Sequence, residues 1–174
     1  FFFFFLGWVV SNEYFFTPNN IVNYLKIRAS SCRLGNQNIS NYAYLTLFSR
    51  EGNITRYGNP KLKWETTLQN NLGIDLRMFS NKVELNADIF KKKTKDILLG
   101  ISLPTFVGNV DATYVNAGEV ENTGFELNLR FKDKLGADGF YSLGGNLTGI
   151  NNKVVALHEN VPRIIGEVTR AEIG

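Results

Sequence analysis

The sequence is poor in the residues that usually carry chemistry. Its one cysteine, Cys32, excludes an internal disulfide and a thiolate zinc site. Its one histidine, His158, leaves a Ser–His–Asp arrangement formally possible, but no spacing sets a serine and an aspartate beside it, and a loop histidine is the plainer reading. No catalytic residue, cofactor site or metal site is expected, and the chain does not read as an enzyme. Hydrophobic residues make up 44% of the chain, yet no run approaches the roughly 18 apolar residues of a membrane helix. The net charge is only +3, and the basic residues are scattered apart from Lys91-Lys92-Lys93 with Lys95. Such a tract can meet nucleic acid or anionic lipid. No nucleic-acid motif accompanies it, so it reads as the solvated end of a strand leaving a membrane, with no nucleic-acid partner. The opening Phe1–Phe5 runs on through Leu6-Gly7-Trp8-Val9-Val10 without a basic region or a small-residue cleavage site, so it does not read as a signal peptide. The chain is expected to be part of a longer one, with its export signal elsewhere.

What the sequence has is strict alternation. Trp64, Thr66, Leu68, Asn70, Leu72, Ile74, Leu76 and Met78 share one parity, and Glu65, Thr67, Gln69, Asn71, Gly73, Asp75 and Arg77 share the other. After Phe79-Ser80-Asn81-Lys82 the pattern restarts, with Val83, Leu85, Ala87 and Ile89 against Glu84, Asn86 and Asp88. Side chains on a strand point alternately to opposite faces, so this is a two-faced hairpin. Its strands exceed the usual 5–6 or so residues of soluble proteins and reach the roughly 9–11 needed to cross a bilayer.

The same reading places strands near 3–12, 24–34, 119–132 and 140–150. The fifth sets Phe125, Leu127, Leu129 and Phe131 against Gly124, Glu126, Asn128 and Arg130. Residues 79–82 and 133–139 read as short turns and 13–23 as an intermediate one. Residues 35–62, 95–118 and 151–174 read as long loops. Counting strands, all long connections fall at one end, as in outer-membrane barrels with short periplasmic turns and long external loops. Phe15, Phe16, Tyr24, Trp64, Phe79, Phe90, Phe131, Phe140 and Tyr141 fall at or near predicted strand ends, where interfacial aromatics collect. The expected fold is all-β: an antiparallel, up-and-down transmembrane β-barrel segment that cannot close alone. A soluble β-sandwich, perhaps a carbohydrate-binding module, would also alternate. Strand length, loop asymmetry and the shortage of turn signals every 8–12 or so residues weigh against it. A passive porin-like barrel is a further alternative.

Several segments then resemble one family. Asn59-Pro60-Lys61-Leu62-Lys63-Trp64-Glu65-Thr66-Thr67, Lys92-Lys93-Thr94-Lys95-Asp96-Ile97-Leu98-Leu99 and Asn116-Ala117-Gly118-Glu119-Val120-Glu121-Asn122-Thr123-Gly124-Phe125-Glu126 are similar, in order, to signatures of SusC/RagA-type TonB-dependent outer-membrane transporters. Leu6-Gly7-Trp8, Leu25-Lys26-Ile27-Arg28-Ala29-Ser30, Leu34-Gly35-Asn36-Gln37-Asn38 and Asn151-Asn152-Lys153-Val154 extend the resemblance over most of residues 6–157. Cys32 stands where the family usually has a small residue, and the poly-Phe start has no counterpart.

The resemblance implies about six strands of a barrel of about 22, with residues 1–174 forming part of the barrel domain and the plug, signal peptide and other strands outside this sequence. It implies import of oligosaccharides or peptides across the outer membrane of a Gram-negative, Bacteroidota-like cell. A SusD-like surface lipoprotein would act as lid, and the TonB complex would supply energy through the plug. Tyr42, Tyr44, Tyr57, Phe106 and Tyr114, on the long loops, are the candidates for ligand or lid contact. Asn59, Pro60, Leu62, Lys63, Trp64, Glu65, Thr66, Gly118, Glu119, Glu121, Asn122 and Gly124 are expected to be structural. Trp64 suits the outer interfacial belt, Glu65 would face the lumen and pair with Arg77 or another cation, and Gly118 and Gly124 suit a tight turn or a close backbone approach.

Overall fold

The computed structural model describes residues 2–17, 19–101, 103–104, 106, 108, 110–136, 139–157, 163–165 and 170–172; His158 lies outside them. Twelve strands appear among them. Six form one antiparallel sheet with neighbours in chain order: β1 (Phe2–Val9), β2 (Val22–Asn36), β5 (Glu65–Met78), β6 (Val83–Lys95), β9 (Gly118–Leu135) and β10 (Gly139–Leu157). The sheet is open, with β1 and β10 as its edges. The six predicted strands are therefore the six of this sheet, except that the first, expected to reach residue 12, ends at Val9 in a 3-10 turn over Val10–Asn12. Three two-stranded hairpins complete the set: β3 (Leu47–Phe48) with β4 (Ile54–Arg56), β7 (Leu98–Ile101) with β8 (Thr113–Asn116), and β11 (Arg163–Ile165) with β12 (Arg170–Glu172). From sequence alone these segments read as loops, because runs of two to four residues are too short to show a period. The expected end of the sixth strand near 150 also fell short, since that strand runs to Leu157. Backbone pairing does not require apolar side chains, so ladders continue past the apolar stretch that marks a strand in sequence.

The chain divides into two compact units. One comprises 1–33, 68–92 and 122–152; the other comprises 34–67, 93–121 and 153–174. The short connections fall in the first and the long ones in the second, as the loop asymmetry predicted.

In the first unit the two parities hold. On β5, Leu68, Leu72 and Ile74 are exposed while Gln69, Asn71 and Asp75 are partly covered. The polar parity is cross-linked between strands: Asn71 Nδ2 donates to Ser30 Oγ (3.0 Å) and Asn86 Nδ2 to Asp75 Oδ1 (2.9 Å). The described residues contain no second large sheet, and the only buried hydrophobic residues among them are Val10, Ala43 and Ala117. A sandwich hides its apolar parity in a core about 10 Å thick. Here that parity is left bare, as a lipid-facing surface requires.

The register Phe5↔Ser30 and Phe3↔Cys32 puts Phe3 and Phe5 on the polar face, their rings stacked 6.5 Å apart. Leu6 and Trp8 join the apolar face opposite Ala29 and Ile27. Aromatics gather near the turns: Trp8 lies 6.2 Å from Phe15 and donates its indole N–H to Glu13 (2.9 Å), and Phe131 lies 5.9 Å from Tyr141. Phe90 departs from that belt. It sits within β6 on the polar parity, against Gly124. The 79–82 turn carries three consecutive left-handed residues, Phe79, Ser80 and Asn81 (φ 54°, 58° and 66°). It is tied down by Phe79 N–H to Ile21 O (2.9 Å) and Asn81 N–H to Asn23 Oδ1 (3.2 Å).

Candidate functional site

In the second unit the two long loops fold onto each other, and the signature residues fasten them. Asn59 Nδ2 donates to Tyr114 O (3.1 Å) while its Oδ1 accepts from Lys61 N–H (3.0 Å). Asn116 accepts from Lys63 N–H (2.9 Å) and donates to Lys63 O and Asp96 O (2.8 Å each). One asparagine from each motif thus satisfies backbone groups of the other loop, groups that cost free energy if buried unpaired. Thr113 Oγ1 donates to Tyr57 O (3.2 Å), and Arg56 bridges Asp111 through the backbone. Pro60 precedes β5, where its missing N–H breaks no ladder.

Arg56 is buried, with 8% of its surface exposed. Its Nη1 donates to Ser40 Oγ (3.1 Å), and its Nε and Nη2 have no hydrogen-bond partner among the described residues. Nothing in the sequence marked this residue out.

The other signature residues divide by strand. Lys93 pairs with Glu119, and Lys95 lies 3.7 Å from the same carboxylate. Asn122 Oδ1 accepts from Asn152 Nδ2 (2.5 Å). Gly118 and Gly124 lie inside β9, not in a turn, so only the close-approach half of that expectation applies. A Cβ at Gly124 would run into Gly149 O and come 2.6 Å from Phe90 Cζ. Phe90 covers this glycine from the next strand, a packing device for strand glycines. The Glu65–Arg77 pairing fails: the two are twelve residues apart on one strand, roughly 40 Å at the usual rise. Arg77 lies instead over the Tyr24 ring, 5.0 Å from its centroid.

Two concave regions result, one in each unit. The first unit holds an open trough of about 780 Å³ on the polar face, lined among others by Phe5, Asn71, Phe90, Lys92 and Glu126. Beside these, Arg28 reaches over β5: its Nε lies 2.9 Å from Asp75 Oδ2, and its Nη2 donates to Asp88 Oδ2 at 2.9 Å. Gly73 makes the reach possible, since a Cβ there would collide with Asp88 Oδ1 and stand 2.8 Å from Arg28 Nη2. The second unit holds a cleft of about 450 Å³ lined by Tyr42, Tyr44 and Trp64 with Gln37, Asn41 and Lys63. Of the five loop aromatics singled out from sequence, the structure brings Tyr42 and Tyr44 together and adds Trp64. Tyr57 and Tyr114 engage the loop contacts through their carbonyls, and Phe106 is 89% exposed and lines neither region.

Comparison with known proteins agrees with this architecture. Residues 7–164 match the family model described as TonB dependent receptor-like, beta-barrel. A TonB-dependent receptor of Formosa agariphila is 34% identical over 163 residues, covering 87% of this chain and 16% of that protein. The TonB-dependent receptor SusC of Bacteroides thetaiotaomicron is 28% identical over 167 residues, covering 87% of this chain and 17% of its own. Among solved structures, the RagAB peptide transporter superposes with a TM-score of 0.82 at 24% identity, covering 99% of this chain and 20% of that one. The RagAB peptide importer in its closed-closed state gives 0.83 at 24% identity, with the same coverage, a likeness of fold. These relatives are receptors and transporters rather than enzymes, and the chain spans about a sixth to a fifth of their length. An open six-stranded antiparallel sheet, two-faced along β5 and fastened at its long loops by the signature asparagines, is thus matched in sequence and in fold, and the chain belongs to the TonB-dependent receptor β-barrel family, of whose barrel it forms six strands.

Proposed function

We propose that this chain is part of the barrel wall and external loops of a TonB-dependent importer in the outer membrane of a Bacteroidota-like cell. One observation carries the reading: a six-stranded open sheet leaves its apolar parity bare and cross-links its polar parity. An open sheet with a bare apolar face is unfavourable in water. In a bilayer, unpaired edge groups cost several kcal/mol each, so the remaining strands of a closed barrel must come from the rest of the receptor. The plug within that barrel would couple to the TonB complex, which distinguishes this reading from a passive porin. The relatives favour an oligosaccharide or peptide as cargo and a SusD-like lipoprotein as lid over the long loops. The protein moves its substrate without making or breaking bonds, so the side chains here serve as wall, seam and contact surface.

Single cysteines placed at Ser80 and at Phe106 in the full-length receptor, labelled on intact cells with a membrane-impermeant maleimide, test the topology. Cys32 would be replaced first. Labelling at 106 with protection at 80 is expected; the reverse pattern would overturn the orientation, and recovery of the receptor in the soluble fraction would overturn the membrane reading.

A further inference from the structure

We propose that Lys93, Lys95 and Lys153, on the lipid-facing parity at its loop end, bind the phosphates of the outer-leaflet lipid. The reading rests on the importer proposed above and concerns what surrounds that importer, not what it carries. On β6 the apolar parity ends at Ile89 and continues as Lys91, Lys93 and Lys95. On β9 it changes beyond Phe125 to Thr123, Glu121 and Glu119, and on β10 beyond Leu147 to Asn151 and Lys153. The change falls where a bilayer would end. A strand rises about 3.3 Å per residue, and at a tilt of roughly 40° it climbs about 2.5 Å per residue across the membrane. Lys93 stands ten residues from Val83, where β6 begins, and so about 25 Å up, which is the height of the apolar band of an outer-membrane barrel.

Within the second unit these charges form one cluster. Lys93 pairs with Glu119 Oε1, and Lys95 Nζ lies 3.7 Å from Glu119 Oε2. The Asn122–Asn152 hydrogen bond sets β9 against β10 so that Glu121 and Lys153 stand side by side on the opposite face. Lys153 is exposed and makes no ion pair or hydrogen bond with a described residue. Three ammonium groups thus share two carboxylates, and the cluster keeps a positive charge. Charge is costly against hydrocarbon but welcome at the level of the headgroups. In a Gram-negative cell the outer leaflet at that level is a glycolipid whose headgroup carries phosphates. A lysine suits such a neighbour, since its stem lies along apolar surface while its ammonium reaches the polar layer. Farther down the same parity Ile89 and Phe125 remain 57% and 45% exposed, as contact with acyl chains requires.

The test uses the full-length receptor, purified in neutral detergent and stripped of lipid. It is titrated with deep-rough lipopolysaccharide and, separately, with the same lipid after dephosphorylation, and native mass spectrometry reads the bound fraction. The phosphorylated form is expected to bind more tightly. Lys153→Gln should weaken its binding about fivefold, and Lys93→Gln, Lys95→Gln and Lys153→Gln together at least about tenfold. Glu119→Gln, which releases Lys93 and Lys95, should tighten binding, a gain that loss of folding cannot imitate. Lys26→Gln with Lys92→Gln removes charge from the polar-face trough and should leave binding unchanged in about 0.15 M salt, where distant charges are screened. Heat-modifiable electrophoretic mobility confirms that each variant folds. Equal binding of the dephosphorylated lipid, indifference to the triple substitution, or an equal loss in the trough variant would overturn the proposal. So would displacement of the lipid by inorganic phosphate alone, which would mark a site for a free anion. Cysteine labelling at residues 80 and 106 stands apart. A reversed pattern sinks the importer reading and this inference with it, whereas the expected pattern without phosphate-dependent lipid binding sinks only this inference.

Discussion

Replacing Gly73 with alanine gives the sharpest test of the polar face, because the ordinary expectation has the opposite sign. A glycine inside a strand normally costs roughly 0.5–1 kcal/mol relative to alanine, so Gly73→Ala should stabilise if backbone entropy alone mattered. In this structure the new Cβ would fall on Asp88 Oδ1 and within 2.8 Å and 3.0 Å of Arg28 Nη2 and Cζ. The obstacle is the far end of two side chains, so one of them must swing away, and the Arg28–Asp88 bond is what gives. That pair is partly exposed, with side-chain exposures of 38% and 28%, so its loss is worth at most about 1 kcal/mol. Forcing Asp88 and Arg28 out of their present rotamers adds about 1–3 kcal/mol. Set against the backbone gain, the net is a destabilisation of about 1–2 kcal/mol. The assay is urea unfolding of the full-length receptor in lipid vesicles, followed by the gel mobility of folded and unfolded bands. Gly145→Ala is the control, since nothing lies within 4 Å of a Cβ there, and it should be neutral or mildly stabilising. In an Arg28→Ala background the cost of Gly73→Ala should shrink by about half, because contacting groups couple non-additively. A Gly73→Ala receptor as stable as the wild type or more so, or a cost unchanged by Arg28→Ala, would refute the crossing.

Three further outcomes are expected. Asn116→Ala removes both donations and the acceptance that tie Lys63 and Asp96 together, and leaving those backbone groups unpaired should cost about 1–3 kcal/mol, seen as faster cleavage of residues 37–64 by external protease on intact cells. Gly124→Val should lower folded receptor yield sharply, with Phe90→Ala restoring part of it by clearing the ring; no restoration would mean that the Gly149 carbonyl alone sets the limit. Arg56→Met should change thermal stability by less than about 1 kcal/mol or raise it, since the guanidinium is buried with two nitrogens unbonded, and a drop of several kcal/mol would show that those nitrogens are satisfied in the whole receptor.

The sequence by itself determined the six strands of the large sheet, the two faces of those that alternate and the sorting of short from long connections. Leu68, Leu72 and Ile74 against Gln69, Asn71 and Asp75 leave only one way to place β5, because a slip of one residue would carry every apolar side chain to the wrong face. The signature segments identified the family for the same reason: Pro60 and Trp64 must stand where a strand begins. Tertiary structure alone decided what touches what across strands. The poly-Phe start carries no parity of its own, and only pairing with Ser30 and Cys32 sends Phe5 and Phe3 to the polar face. The partner of Arg77 and the reach of Arg28 past Gly73 depend on register, which local periodicity does not encode. The cleft likewise joins Tyr42 and Tyr44 to Trp64, about twenty residues further along the chain, through a loop closed by Asn59 and Asn116. Periodicity is a property of neighbours along the chain, and a site is a property of neighbours in space.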